Sequence, residues 1–210
     1  MKIAMIGSGN VGGALGPRLA KLGHEVIFAS RNPKSRKLSS VVEQAGGNAR
    51  AASINEAVAA SEIVFLAVPF SSAKEAIESA GNLEGKIIVD CTNPLSEGLT
   101  GLSVGHSVSA AELIAGWAKG AIVVKAFNTT GAANMANPSY GNEKPTMFFC
   151  GDDKQAKDKV AMLISGLGLE PIDAGPLTIA RLLEPLAMLW IRLAYMEKLG
   201  QDIAFKLLRR

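Results

Sequence analysis

Very little in this chain of 210 residues speaks for metal, nucleophilic or nucleic-acid chemistry. It has two cysteines and two histidines. Cys91 and Cys150 stand alone in apolar stretches, without the paired spacing of a metal site, and read as reduced, buried thiols. No serine, histidine and aspartate follow one another in a triad order. His24 precedes a predicted strand and reads as a surface or capping residue, which leaves His106 as the histidine nearest the predicted crevice. A net charge of +3 gives no basic surface for nucleic acid. The most apolar stretch, Leu182 to Leu199, is interrupted by Glu184, Pro185, Arg192, Glu197 and Lys198, short of the ~20 residues of a membrane span. No leader precedes the first predicted strand, so a cytoplasmic protein with no membrane partner is expected. Repeats and low-complexity linkers are also missing. The chain reads as a single domain, 1–210, with 178–210 as a C-terminal helical appendage.

What the chain has is glycine, 22 of them, and their placement matters at the start. Lys2 to Ile6 reads as a buried strand. Gly7, Ser8, Gly9, Asn10, Val11 and Gly12 then spell G-x-G-x-x-G. Val11, Ala14, Leu15, Leu19 and Leu22 follow at helical spacing, and His24 to Ala29 reads as a second strand. In such a unit the first glycine allows the tight turn and the second lets the backbone approach a pyrophosphate. The third lets helix and strand pack closely. The unpaired N–H groups and dipole of the helix start favour the anion. A dinucleotide site is therefore expected here.

An acid is missing where one would discriminate between dinucleotides. NAD-binding units usually carry Asp or Glu about 20 residues after the motif, on the ribose 2′-hydroxyl. Here the second strand ends in Ser30, Arg31 and Asn32, with Lys34, Arg36 and Lys37 beyond. A carboxylate repels a 2′-phosphate, whereas a hydroxyl and a guanidinium bind one. NADP(H) is the expected cofactor.

Further along, predicted strands alternate with helices: Ala49 to Ala52, Ile63 to Val68, Lys86 to Asp90, Ala121 to Ala126, Thr146 to Cys150 and Glu170 to Asp173 are the strands. This predicts an α/β, Rossmann-type, doubly wound and mostly parallel sheet with a C-terminal helical segment. Ligands in such sheets bind outside the carboxyl ends of the strands, so the loops at 7–12, 30–34, 68–72 and 91–95 should face one crevice. Asn137 to Lys144 is turn-rich and predicted to be mobile. Arg181 to Leu199 is predicted as one helix, kinked near Pro185. Its apolar residues nearly encircle it, so it packs on its own domain, roofs a substrate pocket or forms a homodimer contact.

Taken in order, IGSGNVGGALGPRLAKLGHEVIFASRNP, VVKAFNT, CGDD and IDAGPLTIARLLEPL resemble the NADPH:coenzyme F420 oxidoreductases, and the related oxidoreductase domain of the STEAP metalloreductases. The resemblance covers Met1 to about Leu189. It implies hydride transfer between NADP(H) and a flavin or deazaflavin, with no protein acid or base required and hence no catalytic residue in the usual sense. Carried over by position, Ser8 to Val11 would cradle the pyrophosphate, and Ser30, Arg31 and Lys34 the 2′-phosphate. Val68, Pro69 and Phe70 would line the nicotinamide side, with Asn93 and Pro94 nearby. Ala126, Asn128 and Thr129 would flank the nicotinamide. The F420-using enzymes tend to carry a histidine-bearing segment where this chain has KAFNTT, which is closer to the metalloreductase domains. The small-molecule acceptor is thus open among coenzyme F420, FMN and FAD. Two alternatives stay beside this one: reduction of an imine, ketone or hydroxyacid, and an NADP-binding redox sensor without turnover.

Overall fold

The computed structural model describes all 210 residues. Its strands are β1 (Lys2–Ile6), β2 (Glu25–Ala29), β3 (Ala49–Ala52), β4 (Ile63–Leu66), β5 (Ile87–Asp90), β6 (Ile122–Lys125), β7 (Thr146–Gly151) and β8 (Glu170–Asp173). They form one sheet in the order β3-β2-β1-β4-β5-β6-β7-β8. Every pairing is parallel except β6 with β7. The helices are α1 (Asn10–Lys21), α2 (Arg36–Ala45), α3 (Ile54–Ala59), α4 (Ala73–Glu78), α5 (Ala110–Trp117), α6 (Ala132–Ala136), α7 (Lys154–Gly166) and α8 (Ala180–Ile191).

The strands are apolar on both sides because both faces are covered, as parallel sheets require. Ile3, Met5, Phe28, Phe65 and Val89 face α1, α2 and α7 in one core layer. Ala4, Ile6, Ile27, Val64, Leu66 and Ile88 face α3, α4 and α5 in the other, which Leu183 of α8 also enters. Two helices start on capping boxes, Ser53 with Glu56 on α3 and Ser109 with Glu112 on α5, so their entry points are fixed by local sequence. The strand order reverses between β1 and β4. That is the switch point at which a doubly wound sheet opens a crevice.

Two local expectations change. The fourth strand stops at Leu66, leaving Ala67 and Val68 to the loop after it. The last helix does not reach Leu199: α8 gives way to a π turn over Arg192–Met196, and 197–210 has no regular secondary structure. This tail doubles back across the body. The Trp190 indole and the Asn134 amide both donate to the Ile203 carbonyl at 2.7 Å, and the Thr146 N–H donates to the Phe205 carbonyl at 2.9 Å. The turn-rich segment before β7 makes contacts of its own. Tyr140 donates to Asn134 at 2.7 Å, and Lys206 reaches the Lys144 carbonyl at 3.0 Å.

Candidate active site

The glycine loop earns its conformation from backbone geometry. Gly7 has φ +105°, a region closed to most side chains, and a Cβ there would meet the Ala67 carbonyl. A Cβ on Gly12 would meet the carbonyl oxygen of Gly7, so Gly12 is what lets α1 start against β1. Gly9 differs from both. Its φ is −77°, and nothing lies within 4 Å of the Cβ it lacks. The space over Gly9 is therefore clear for a ligand rather than filled by the fold. Helix α1 begins at this point with no side-chain cap and no acid in its first turn, so its first N–H groups are free for an anion.

This loop divides two clefts. The first, of about 190 Å³, runs over the ends of β1, β2 and β4 and is lined by Gly7, Ser8, Ser30, Arg31 and Val68. Sequence reasoning missed its far wall, which is Ile54 of α3 together with Ser72, Glu75, Ala76 and Ser79 around α4. Arg31 reaches across and pairs with Glu75 at 2.9 Å, both side chains being well exposed. Ser30 uses its hydroxyl to accept the Asn32 N–H at 3.0 Å, which shapes the turn after β2. Asn32 and Lys34 are exposed but line no part of this cleft.

The second cleft, of about 650 Å³, lies on the other side of the loop. Asn10, Val11 and Ala14 form one wall and Asn93 and Asn128 the floor. Gly131 to Ala133 of the α6 start, and Trp190, Ile191 and Tyr195 of α8 and its π turn, complete it. The floor is held rigidly. Phe127 takes a left-handed φ of +60° while fully buried, packed on Phe65 with ring centres 5.7 Å apart. A non-glycine residue in that region is strained, and the strain turns Asn128 across to the end of β5. The Asn128 amide nitrogen donates to Asn93 Oδ1 at 3.1 Å and to the Leu183 carbonyl at 3.0 Å, and Asn93 Nδ2 donates to the Asn128 carbonyl at 3.0 Å. Asn128 Oδ1 is left buried without a partner. A buried acceptor of this kind is uncommon and calls for a donor.

The remaining sequence-predicted residues fall elsewhere. Ala126 and Thr129 are buried in the core beneath the floor, with the Thr129 hydroxyl near Met147 Sδ. Pro69, Phe70 and Pro94 line neither cleft, and Phe70 stacks on Trp117 at 5.8 Å. His106 borders a third cleft of about 750 Å³, with Leu102, Thr178, Arg181 and Pro185. There Arg181 is held by Glu112 through two hydrogen bonds of 2.9 and 2.6 Å, which keep the Glu112 carboxyl down at about 2. Cys91 and Cys150 are buried and unpaired, and burial pushes the Cys150 thiol up to about 12 and Cys91 higher still. Neither is a nucleophile. No group of three or more His, Cys, Asp or Glu side chains is placed to hold a metal ion. No helix is long and apolar enough to cross a membrane.

Comparison with known proteins agrees with this architecture. Residues 2–94 match the family model described as NADP oxidoreductase coenzyme F420-dependent. The F420-dependent NADP reductase of Methanothermobacter marburgensis is 30% identical over 207 residues, with 92% of each chain covered. Rat metalloreductase STEAP3 is 34% identical over 193 residues, covering 89% of this chain. The chain spans about a third of that metalloreductase's length, 36%. A crystal structure from Arthrobacter sp. FB24, provisionally described as an F420-dependent NADP-reductase, superposes over the whole of both chains with a TM-score of 0.90 at 35% identity.

Proposed function

The chain belongs to the coenzyme F420-dependent NADP oxidoreductase family, and from that premise we propose that it passes a hydride between NADPH and a flavin or deazaflavin ring seated in the second cleft. It is an NADP-dependent oxidoreductase; the acceptor and the residue roles are the proposal. The observation that carries it is the position of the glycine loop, which is the shared wall of two clefts, with Gly7 and Ser8 facing one and Asn10 and Val11 the other. A dinucleotide straddling that wall puts its two halves in different clefts. The nucleotide's pyrophosphate fits the clear space above Gly9, against the free N–H groups of α1.

In this reading Ser30 and Arg31 bind the 2′-phosphate. Arg31 exchanges its exposed partner Glu75 for a dianion, at little cost because a solvated ion pair is worth at most about 1 kcal/mol. The nicotinamide itself supplies the hydride chemistry. Asn128 supports it: its orphaned Oδ1 is the acceptor that a carboxamide N–H would satisfy, and the Asn93 and Leu183 contacts hold it in place. The apolar side chains of Val11, Leu95, Leu99, Trp190 and Ile191 leave room for a planar ring and exclude water from its face. The lining of the second cleft carries no Asp, Glu, His, Lys or Arg side chain; Tyr195 is its titratable group.

The test is NADPH oxidation with FMN, FAD and coenzyme F420 offered in turn and NADH run in parallel. Turnover with one of the three rings, and a preference for NADPH, is the expected result. Clear NADPH binding without turnover on any ring would overturn the acceptor assignment, and a preference for NADH would overturn the role of Ser30 and Arg31.

A further inference from the structure

The carboxyl ends of β5 and β6 carry polar side chains in two layers. The upper layer, Asn93, Asn128 and the Leu183 carbonyl, is the floor of the second cleft. The lower layer lies three residues earlier on each strand and one residue further along α8, and it is Asp90, Lys125 and Glu184. All three are completely buried, at 0%, 0% and 1% exposure.

Their hydrogen bonding is saturated. Lys125 Nζ donates to Asp90 Oδ2 at 2.9 Å, to Glu184 Oε1 at 3.0 Å and to the Thr92 carbonyl at 2.6 Å, which uses all three of its protons. Asp90 Oδ1 accepts the Thr92 N–H at 2.9 Å. Glu184 accepts the Ala110 and Ala111 N–H groups of the first turn of α5, at 3.0 and 3.2 Å. Every carboxylate oxygen thus accepts from an N–H donor. The layer holds one cation and two anions, a surplus of one negative charge. The α5 N-terminus offsets roughly half a unit of it. The neighbouring thiols, Cys91 and Cys150, stay protonated and neutral.

Such a layer is expensive as mere packing. Buried ion networks can often be replaced by apolar side chains without loss of stability. We propose that the surplus negative charge of Asp90, Lys125 and Glu184 favours binding of the cationic, oxidised nicotinamide over the neutral, reduced one in the cleft above. This rests on the nicotinamide occupying the second cleft. The attraction is Coulombic and acts through dry protein, where salt screens little. The three residues act on the ring from below, as charges, and are not in contact with it.

The experiment measures Kd for NADP⁺ and for NADPH by titration. The wild type should bind NADP⁺ at least as tightly as NADPH. Glu184→Gln and Asp90→Asn each remove the surplus charge and should each raise the ratio Kd(NADP⁺)/Kd(NADPH) about tenfold, or about 1.4 kcal/mol. The double variant Lys125→Met/Glu184→Gln returns the layer to one net negative charge, on Asp90, and should bring the ratio back toward wild type. A purely structural role would weaken both forms together and leave the ratio unchanged in every variant, which would overturn the proposal. So would tighter binding of NADPH than NADP⁺ by the wild type, a measurement that needs no variant to fold. If the wild type binds neither form, it is the dinucleotide reading that fails, not the charge argument.

Discussion

The two clefts on either side of the glycine loop are built in opposite ways. The first uses residues only from Ile6 to Ser79, and its glycine-loop side owes its shape to backbone: a left-handed Gly7 next to the clear space over Gly9. The second draws on residues from Asn10 to Gln201, and its shape comes from side chains clamped together: Asn93 with Asn128, Trp190 over Gly131, and the indole tied to Ile203. The difference teaches which part of such a site a sequence can spell. A phosphate cradle is local stereochemistry, whereas a ring-binding cleft is tertiary structure.

The largest break in that comparison should come from Trp190→Ala. Trp190 is 4% exposed, and its removal deletes a wall of the second cleft together with a part-buried hydrogen bond. A loss of about 3–5 kcal/mol is expected in urea denaturation. Affinity for adenosine 2′,5′-bisphosphate, which the proposed reading assigns to the first cleft, should stay within about threefold. An equal loss in that affinity would show that the clefts are not independent.

Gly9→Ala works from the other side. The backbone at Gly9 already has a φ open to alanine, and the new methyl meets no protein atom, so the thermal midpoint should move little. NADPH affinity should fall about 100-fold, roughly 2.7 kcal/mol, as the methyl takes the pyrophosphate's place. Unchanged affinity would remove the pyrophosphate from this loop. Gly12 cannot serve in this test, because substitution there would distort the loop through Gly7.

Arg31→Ala should cost NADPH about 10- to 100-fold in affinity and leave NADH unchanged, the range of a charge-assisted hydrogen bond. Glu75→Gln should tighten NADPH by a few-fold, since it releases Arg31 and takes a negative charge from the cleft wall. An opposite sign for Glu75 would mean that the pair positions Arg31 rather than occupying it.

The smallest effect sits outside both clefts. Glu112 caps α5 and is held at about 2, below the ordinary 4.5, chiefly by its hydrogen bond to Arg181. A depressed folded value means stability that is present above about 4.5 and lost as the pH falls through about 2. Glu112→Gln should therefore be less stable than wild type by about 1 kcal/mol at pH 7. That gap should close between pH 4.5 and 2, with the affinities of both clefts unchanged.

The legible parts of the sequence were those whose cause is local. The alternation of apolar strands and helices gives the sheet, and G-x-G-x-x-G gives the loop, because each glycine answers to a neighbour a few residues away, Gly12 to Gly7 for instance. The antiparallel β7 was not legible, since strand direction depends on how α6 and its flanking turns route the chain. Ser72, Glu75 and Ala76 carry no motif and reach the first cleft only because α4 follows the switch-point strand. Ala126 and Thr129 show the reverse failure. They neighbour Asn128 in sequence, but the left-handed Phe127 turns that one side chain toward the cleft and leaves the other two in the core. Lys125 and Glu184 carry no motif that pairs them; only the packing of α8 against the end of β6 brings the buried ion pair together.

The anchoring of Trp190 and Asn134 to the Ile203 carbonyl also sets an order of events during synthesis. Everything the first cleft needs has been made once the ribosome passes Ser79, while the second waits for Ile203, roughly 120 residues later. At ordinary elongation rates that interval is about 6–25 s. A nascent chain thus carries every residue lining the first cleft well before the residue that anchors the second has been made.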